Sequence, residues 1–204
     1  GLNLVSLPGD LYSEGSPLSS YFENATLGEE TKVVYRTDMT VFYIRGGDLM
    51  DVDLNANTAV TIPSSATRLF PGVFEDCTQI QTLTIPNSVT NVGMHAFKGC
   101  TGLTGVAIPD SVITLGDSAF QGCTSLESAA IGNGVPTIGM YAFDGCTSLA
   151  RVTIGSGVTS IMTYAFADCA ALRSIDIPDS VMTFQAYAFD GCTSLQSATI
   201  GNGI

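Results

Sequence analysis

Six cysteines stand at Cys77, Cys100, Cys123, Cys146, Cys169 and Cys192, and every gap between them is 23 residues. Phe74, Phe97, Phe120, Phe143, Phe166 and Phe189 keep the same step. So does an isoleucine column, Ile62, Ile85, Ile108, Ile131, Ile154, Ile177 and Ile200. Three unrelated side chains returning in one register are not a coincidence of composition. A fixed period of this length restricts the chain to a solenoid, an array or a propeller.

The unit opens at an apolar column, Ile80, Leu103, Leu126, Leu149, Leu172 and Leu195. Three residues on come Leu83, Val106, Ala129, Val152, Ile175 and Ala198, and two further on the isoleucines. The spacing is Leu-x-x-Val-x-Ile, whose last two apolar residues alternate as in a strand with one buried face. Turn residues end it: Pro86-Asn87-Ser88, Pro109-Asp110-Ser111, Gly132-Asn133-Gly134. A second short apolar pair follows, such as Val112 and Leu115 or Val158 and Ile161. In Gly116-Asp117-Ser118-Ala119-Phe120-Gln121-Gly122-Cys123, residues Ala119, Phe120 and Cys123 have helical spacing, and the flanking glycines hold it to a turn or two. Each unit therefore predicts a strand, a turn, a second extended stretch and a short helical turn. One unit cannot bury its own apolar face. Stacked units can, with parallel strands about 4.8 Å apart, and the phenylalanines then form a buried aromatic spine.

The register extends back to Val60-Thr61-Ile62-Pro63-Ser64-Ser65, with Asn57 in place of the first leucine; Asp51 and Leu54 then stand where Phe and Cys belong. The first coil is expected near residue 57, which sets 57–204 as the solenoid and 1–56 as a preceding segment. Ile204 is only the tenth position of a unit. Terminal coils need polar caps, so either the protein continues or a partner covers that end.

Units such as Ile108-Pro109-Asp110-Ser111-Val112, with Gly116 and Ala119-Phe120-Gln121-Gly122-Cys123-Thr124-Ser125-Leu126 after them, resemble the BspA-like leucine-rich repeats, whose unit reads I-P-x-S-V-T-x-I-G-x-x-A-F-x-G-C-x-x-L. The resemblance covers about residues 57–204. It implies a leucine-rich-repeat solenoid of the α/β horseshoe type, rich in β structure, with a parallel sheet on its concave face and short helical turns on its convex side. It also implies a surface or secreted protein of a bacterium or unicellular eukaryote, with a role in adhesion or in binding host or matrix proteins. The family pattern contains no catalytic residues, so an enzyme is not expected. Met162 and Gln185 replace the usual Gly, and Phe184 the usual Ile, which predicts local loosening of the last two coils.

The charge balance narrows the partners. The 204 residues hold 19 acids against 7 bases, a net charge of −12, and residues 1–53 carry nine acids against Lys32, Arg36 and Arg45. Such a surface repels phosphate, which argues against nucleic acid and anionic membranes. Cationic partners or divalent ions are compatible with it, as is a simple gain in solubility. No apolar run is long enough to insert in a membrane. The opening Gly1-Leu2-Asn3-Leu4 lacks the basic stretch that begins a secretory leader.

In the preceding segment, Ser16-Pro17 followed by Leu18, Tyr21, Phe22 and Ala25, with Gly28 beyond, predicts a short helix over 17–27. Lys32–Thr37 and Thr40–Arg45 read as two strands of a hairpin within 32–45, turning at Asp38-Met39. The segment is expected to cover the first edge of the sheet; a small independent binding domain is the rival reading. Asn24-Ala25-Thr26 is a glycosylation triplet, meaningful only in a secreted eukaryotic protein.

No metal or cofactor pattern emerges. The cysteines share one inward column with no C-x-x-C pair, so no converging ligand set forms. Stacked neighbours are close enough for disulfides, but parallel side chains suit buried thiols better. Asp51-x-Asp53-x-Asn55 resembles the start of a calcium loop, yet Ala56 stands where that loop needs Gly and Ile62 where it needs Glu. A looser calcium site or a strand with a wet polar face remains. His95, the single histidine, belongs to an outer column of Gly72, His95, Ser118, Tyr141, Tyr164 and Tyr187, and nothing around it builds a nucleophile–base pair. The tyrosines form a half-exposed ladder, either packing or a contact surface.

Two outward columns flank the buried positions of the main strand. One is Thr82, Gly105, Ser128, Arg151, Ser174 and Ser197; the other is Thr84, Ala107, Ala130, Thr153, Asp176 and Thr199. The concave sheet is the usual binding surface of a solenoid. This flat face lacks the aromatic and Arg anchors of binding hot spots. It suits another sheet, an extended peptide or a repeating polymer, or it is inert. Two functions follow: an extracellular or cell-surface recognition module for a protein or glycan, or a structural subunit that binds copies of itself or other subunits in an extracellular filament or sheet.

Overall fold

The computed structural model describes residues 31–35, as backbone, and 40–203. Three strands come first: β1 (Thr31–Tyr35), β2 (Val41–Arg45) and β3 (Asp48–Asp53). β1 and β2 are antiparallel, with Thr31 opposite Arg45 and Tyr35 opposite Val41, and β3 returns along β2. The expected helix over 17–27, the turn at Asp38-Met39 and the Asn24 triplet lie outside the described residues.

From residue 59 onward each coil contributes one strand to each of two walls. The first wall holds β4 (Ala59–Thr61), β6 (Thr82–Thr84), β8 (Gly105–Ile108), β10 (Ser128–Ile131), β12 (Arg151–Ile154), β14 (Ser174–Ile177) and β16 (Ser197–Ile200). The second holds two-residue strands: β5 (Arg68–Leu69), β7 (Asn91–Val92), β9 (Thr114–Leu115), β11 (Thr137–Ile138), β13 (Ser160–Ile161) and β15 (Thr183–Phe184). Pairing is parallel and steps by one repeat: Ser128 faces Gly105 on one side and Arg151 on the other. The walls are continuous only in part. In the first, β4 to β12 form one five-stranded sheet and β14–β16 another. In the second, β3 pairs in parallel with β5 and carries β1 and β2 into that wall, so the hairpin extends the second sheet rather than the first. The second wall is interrupted between β9 and β11. There Pro136 occupies the column in which Thr90 gives its N–H to Thr67 and Ile113 gives its own to Thr90, and proline has no N–H to give to Ile113.

The third wall is not the helical turn that the spacing suggested. Each coil has two left-handed residues four apart, as in His95 (φ 58°) and Gly99 (φ 71°), or Tyr164 (φ 57°) and Asp168 (φ 54°). A helix cannot pass through such residues. They rotate the peptide planes, so that N–H groups alternate between two destinations. Ala96, Lys98 and Cys100 bond to the carbonyls three residues back, Gly93, His95 and Phe97. His95, Phe97 and Gly99 reach into the next coil, to Asp117, Ala119 and Gln121, at 2.8–3.0 Å. Apolar side chains still recur every three residues, which is what resembled a helix. The main-chain hydrogen bonds, however, run from coil to coil.

The interior is a stack of columns. Phe74, Phe97, Phe120, Phe143 and Phe166 are fully buried, and the rings from Phe74 to Phe189 stack with centroids 5.0–5.4 Å apart and planes within 10°. The five cysteine thiols after Cys77 each donate to the carbonyl of the Phe one coil earlier, from Cys100 on Phe74 to Cys192 on Phe166, at 3.1–3.3 Å. A small, weakly donating side chain that is otherwise apolar suits this buried carbonyl. At the turns after the main strand, Asp110 Oδ1 accepts the Asn133 N–H at 2.7 Å and Asp179 Oδ1 that of Asn202 at 2.8 Å. In both cases a Gly-x-Gly turn lies on a Pro-Asp-Ser turn. Gly134 allows the close seating, since a Cβ there would collide with the Asp110 carbonyl.

Register is held on the surface as well. Lys98 Nζ bonds Glu75 at 3.0 Å, and Gln121 bonds Asp144 at 2.8 Å, each one coil apart. Such exposed pairs contribute under about 1 kcal/mol; the core contributes more. Phe120→Ala removes one ring from the middle of the stack and is expected to cost about 3–5 kcal/mol in chemical denaturation, whereas Glu75→Gln should change stability by well under 1 kcal/mol.

Candidate ligand-binding faces

On the first wall the buried residues point inward, as in Val106 and Ile108 or Ile175 and Ile177. The residues between them form the outer surface. In the second outward column, Thr84, Ala107, Ala130, Thr153, Asp176 and Thr199 are all exposed; in the first, Thr82, Arg151 and Ser174 are exposed, while Gly105 and Ser128 are half-buried. Strand register aligns them: Ala107, Ala130 and Thr153 face one another along β8, β10 and β12, and Asp176 faces Thr199 across β14 and β16. The columns anticipated from the sequence are thus real rows, divided between a five-stranded patch and a two-stranded patch. The hydroxyls and methyls form a low-relief surface that can lie flat against a ligand, with Arg151 and Asp176 as its charges.

The outer corner of the third wall carries the other candidate. Tyr141, Tyr164 and Tyr187 stack with centroids 5.1–5.2 Å apart and planes within 8°. Tyr187 is 60% exposed, and Tyr141 and Tyr164 are half-buried. All three are left-handed, φ 56–62°, at a position where Gly72 stands two coils before Ser118. Left-handed backbone costs a bulky residue about 1–2 kcal/mol, and each stacked pair returns about 0.5–1.5 kcal/mol. Sequence reasoning found the ladder but not its backbone strain; the glycine at position 72 was the available clue. His95, in the same column, is half-buried.

The remaining candidates are structural. All six cysteines are free thiols, four of them buried, with Cys77 and Cys192 half-buried. Burial pushes the Cys100 and Cys146 thiols well above the usual range, and burial with the charges of Asp51 and Asp76 lifts Cys77 to about 11. Asp51, on β3 opposite Tyr43, has its carboxyl raised to about 6, chiefly by burial and further by Asp53, against the lowering effect of the Val52 N–H it accepts. Among the described residues no group of three His, Cys, Asp or Glu side chains converges as a metal requires. No helix of the described residues is long and apolar enough to cross a membrane.

A 23-residue coil, two parallel walls and an inward Leu-Phe-Cys core define a leucine-rich-repeat solenoid. The chain belongs to the BspA type leucine-rich repeat family, whose profile matches residues 54–169 and 114–204 in six copies. A solved leucine-rich cell surface protein from Faecalibacterium prausnitzii is similar, at 29% identity over 71% of this chain and 48% of that one, with a TM-score of 0.58. A leucine-rich repeat protein from Eubacterium ventriosum shares the fold at 23% identity and TM-score 0.67, over 80% of this chain and 50% of that one. The chain thus spans about half the length of these two proteins. No curated protein matches.

Two outcomes test the chemistry. In the native protein at mild alkaline pH, a thiol alkylating reagent should label Cys77 and Cys192 first, and mass spectrometry should find Cys100, Cys123, Cys146 and Cys169 modified only after unfolding. Asp51 holds its proton more tightly folded than unfolded, so its contribution favours folding below about pH 4 and is lost as pH rises through about 6. Allowing for the solvent that reaches it, Asp51→Asn should raise stability at pH 7.5 by about 1 kcal/mol and flatten the pH 4–6 dependence of the melting temperature.

Proposed function

We propose that the chain is an extracellular or cell-surface recognition module that binds a protein or glycan through the outward face of its first wall. The observation that carries this reading is the aligned exposed rows of β6 to β16, from Thr84 to Thr199, whose side chains are small or hydroxylated apart from Arg151 and Asp176. A face this flat makes contact by area and by regularly spaced hydroxyls, which suits an extended polypeptide, another sheet or a repeating sugar polymer. Its small side chains lose little conformational freedom on binding. Two comparisons support the placement: the family is one of repeat proteins, and a relative at 29% identity is described as a cell surface protein. The acidity of the chain, net −12, directs the reading away from nucleic acid.

The test is a panel of matrix proteins and immobilised glycans probed with the intact chain and with a Thr84→Arg/Ala130→Arg/Thr153→Arg variant. Three arginines on β6, β10 and β12 lift any flat ligand off the face, so binding should fall by at least about tenfold, with the melting transition retained. Undiminished binding by a folded variant would overturn the assignment to this face.

A further inference from the structure

We infer that the Tyr141–Tyr164–Tyr187 ladder is a second interaction surface, separate from the first wall, and that its occupant is a basic polypeptide segment. The backbone supplies the first reason. The position is left-handed in every coil, and Gly72 fills it at no steric cost, yet three consecutive coils carry the bulkiest residue of the column there. Strained residues of this kind collect at ligand contacts. The result is a row of phenols along one corner of the solenoid, with Tyr187 60% exposed.

The chemistry of the occupant follows from what the ladder leaves free. Rings 5.1–5.2 Å apart cover one another's faces. Between the rings only edges and hydroxyls remain as contact groups, and an open aromatic face of the kind a sugar ring stacks on is left at the two ends of the row alone. Charge narrows the choice further. The turn segments 117–125, 140–148, 163–171 and 186–194 hold Asp117, Asp144, Asp168 and Asp190 and no lysine or arginine. Asp144 and Asp190 belong to the same turns as Tyr141 and Tyr187, donating their N–H groups to the tyrosine carbonyls at 3.2 and 3.1 Å. Asp144 accepts a bond from Gln121, while Asp168 and Asp190 are exposed. Packing against its neighbours, and then the charges of Tyr187, Tyr141 and Asp190, keep the Tyr164 phenol protonated above its ordinary range. Such a surface repels anions and a second copy of the same acidic wall. Arginine and lysine side chains, which only donate, match phenol and carboxylate oxygens, and their aliphatic stems lie on ring edges.

The test titrates the full chain, at about physiological ionic strength, with a synthetic peptide of alternating arginine and glycine, using a glutamate–glycine peptide of equal length as control. Three variants are compared with the parent. Tyr141→Asn/Tyr164→Asn/Tyr187→Asn keeps the net charge, and asparagine tolerates left-handed backbone, so its fold, checked by thermal melting, is retained. Asp144→Asn/Asp190→Asn removes two carboxylates at the ladder. Glu75→Gln/Glu127→Gln removes two elsewhere. The expected result is binding of the arginine peptide alone, weakened at least about tenfold by the tyrosine variant and by the Asp144/Asp190 variant, and within about twofold of the parent for the Glu75/Glu127 variant. Absence of binding by the parent, tyrosine-variant affinity within about twofold of it, or equal losses from the two carboxylate variants would each overturn the inference.

Discussion

Everything in this molecule depends on main-chain hydrogen bonds that pass from one coil to the next. Three walls deliver them: two by parallel pairing, and the third by N–H groups that left-handed residues turn outward along the axis. A bond ladder of this kind has one rise, close to 5 Å, and it imposes that rise on every side chain between the walls. Rings that must repeat at this spacing stack face to face, hence the uniform Phe column. The Phe carbonyl already accepts the N–H of its own coil's cysteine, and its second lone pair is reached by the small thiol of the next coil, hence the cysteine. The 23-residue period is the length of chain that returns to the same place one rise later.

The same constraint explains which parts were legible in the sequence. The Leu, Ile, Phe and Cys columns, the strand and turn order and the outward rows were readable because each follows from identical neighbours being stacked. The third wall was misread because i, i+3 spacing is common to a helix and to chained turns. Only backbone angle separates them, and His95, Ser118 or Tyr141 do not advertise a positive φ. The split of the first wall between β12 and β14 was also not legible. The break at Pro136 was present in the sequence as a missing N–H, visible once the column was known to be a bonded one.

The two candidate faces differ in the type of energy they offer. The first wall presents rows of small groups whose contribution per residue is slight and additive along the axis. The tyrosine corner concentrates large, pre-ordered side chains in three coils whose turns also carry Asp144, Asp168 and Asp190. A solenoid can carry both because each wall repeats independently: residues may change along one column without disturbing the other two, provided that the inward positions are kept.

The third wall also gives the molecule a direction. From Gly72 to Asp168, the outward-turned N–H groups of this wall go to the following coil and none to the preceding one, so its bonds are aligned like links in a tensioned chain. Pulling the ends apart along the axis loads them in series, and the weakest coil opens first. Each opened coil releases 23 residues, about 80 Å of extended chain, before the next weakest coil opens. Under tension along its axis, such a body lengthens in equal steps, each coil acting as a small extensible shock absorber.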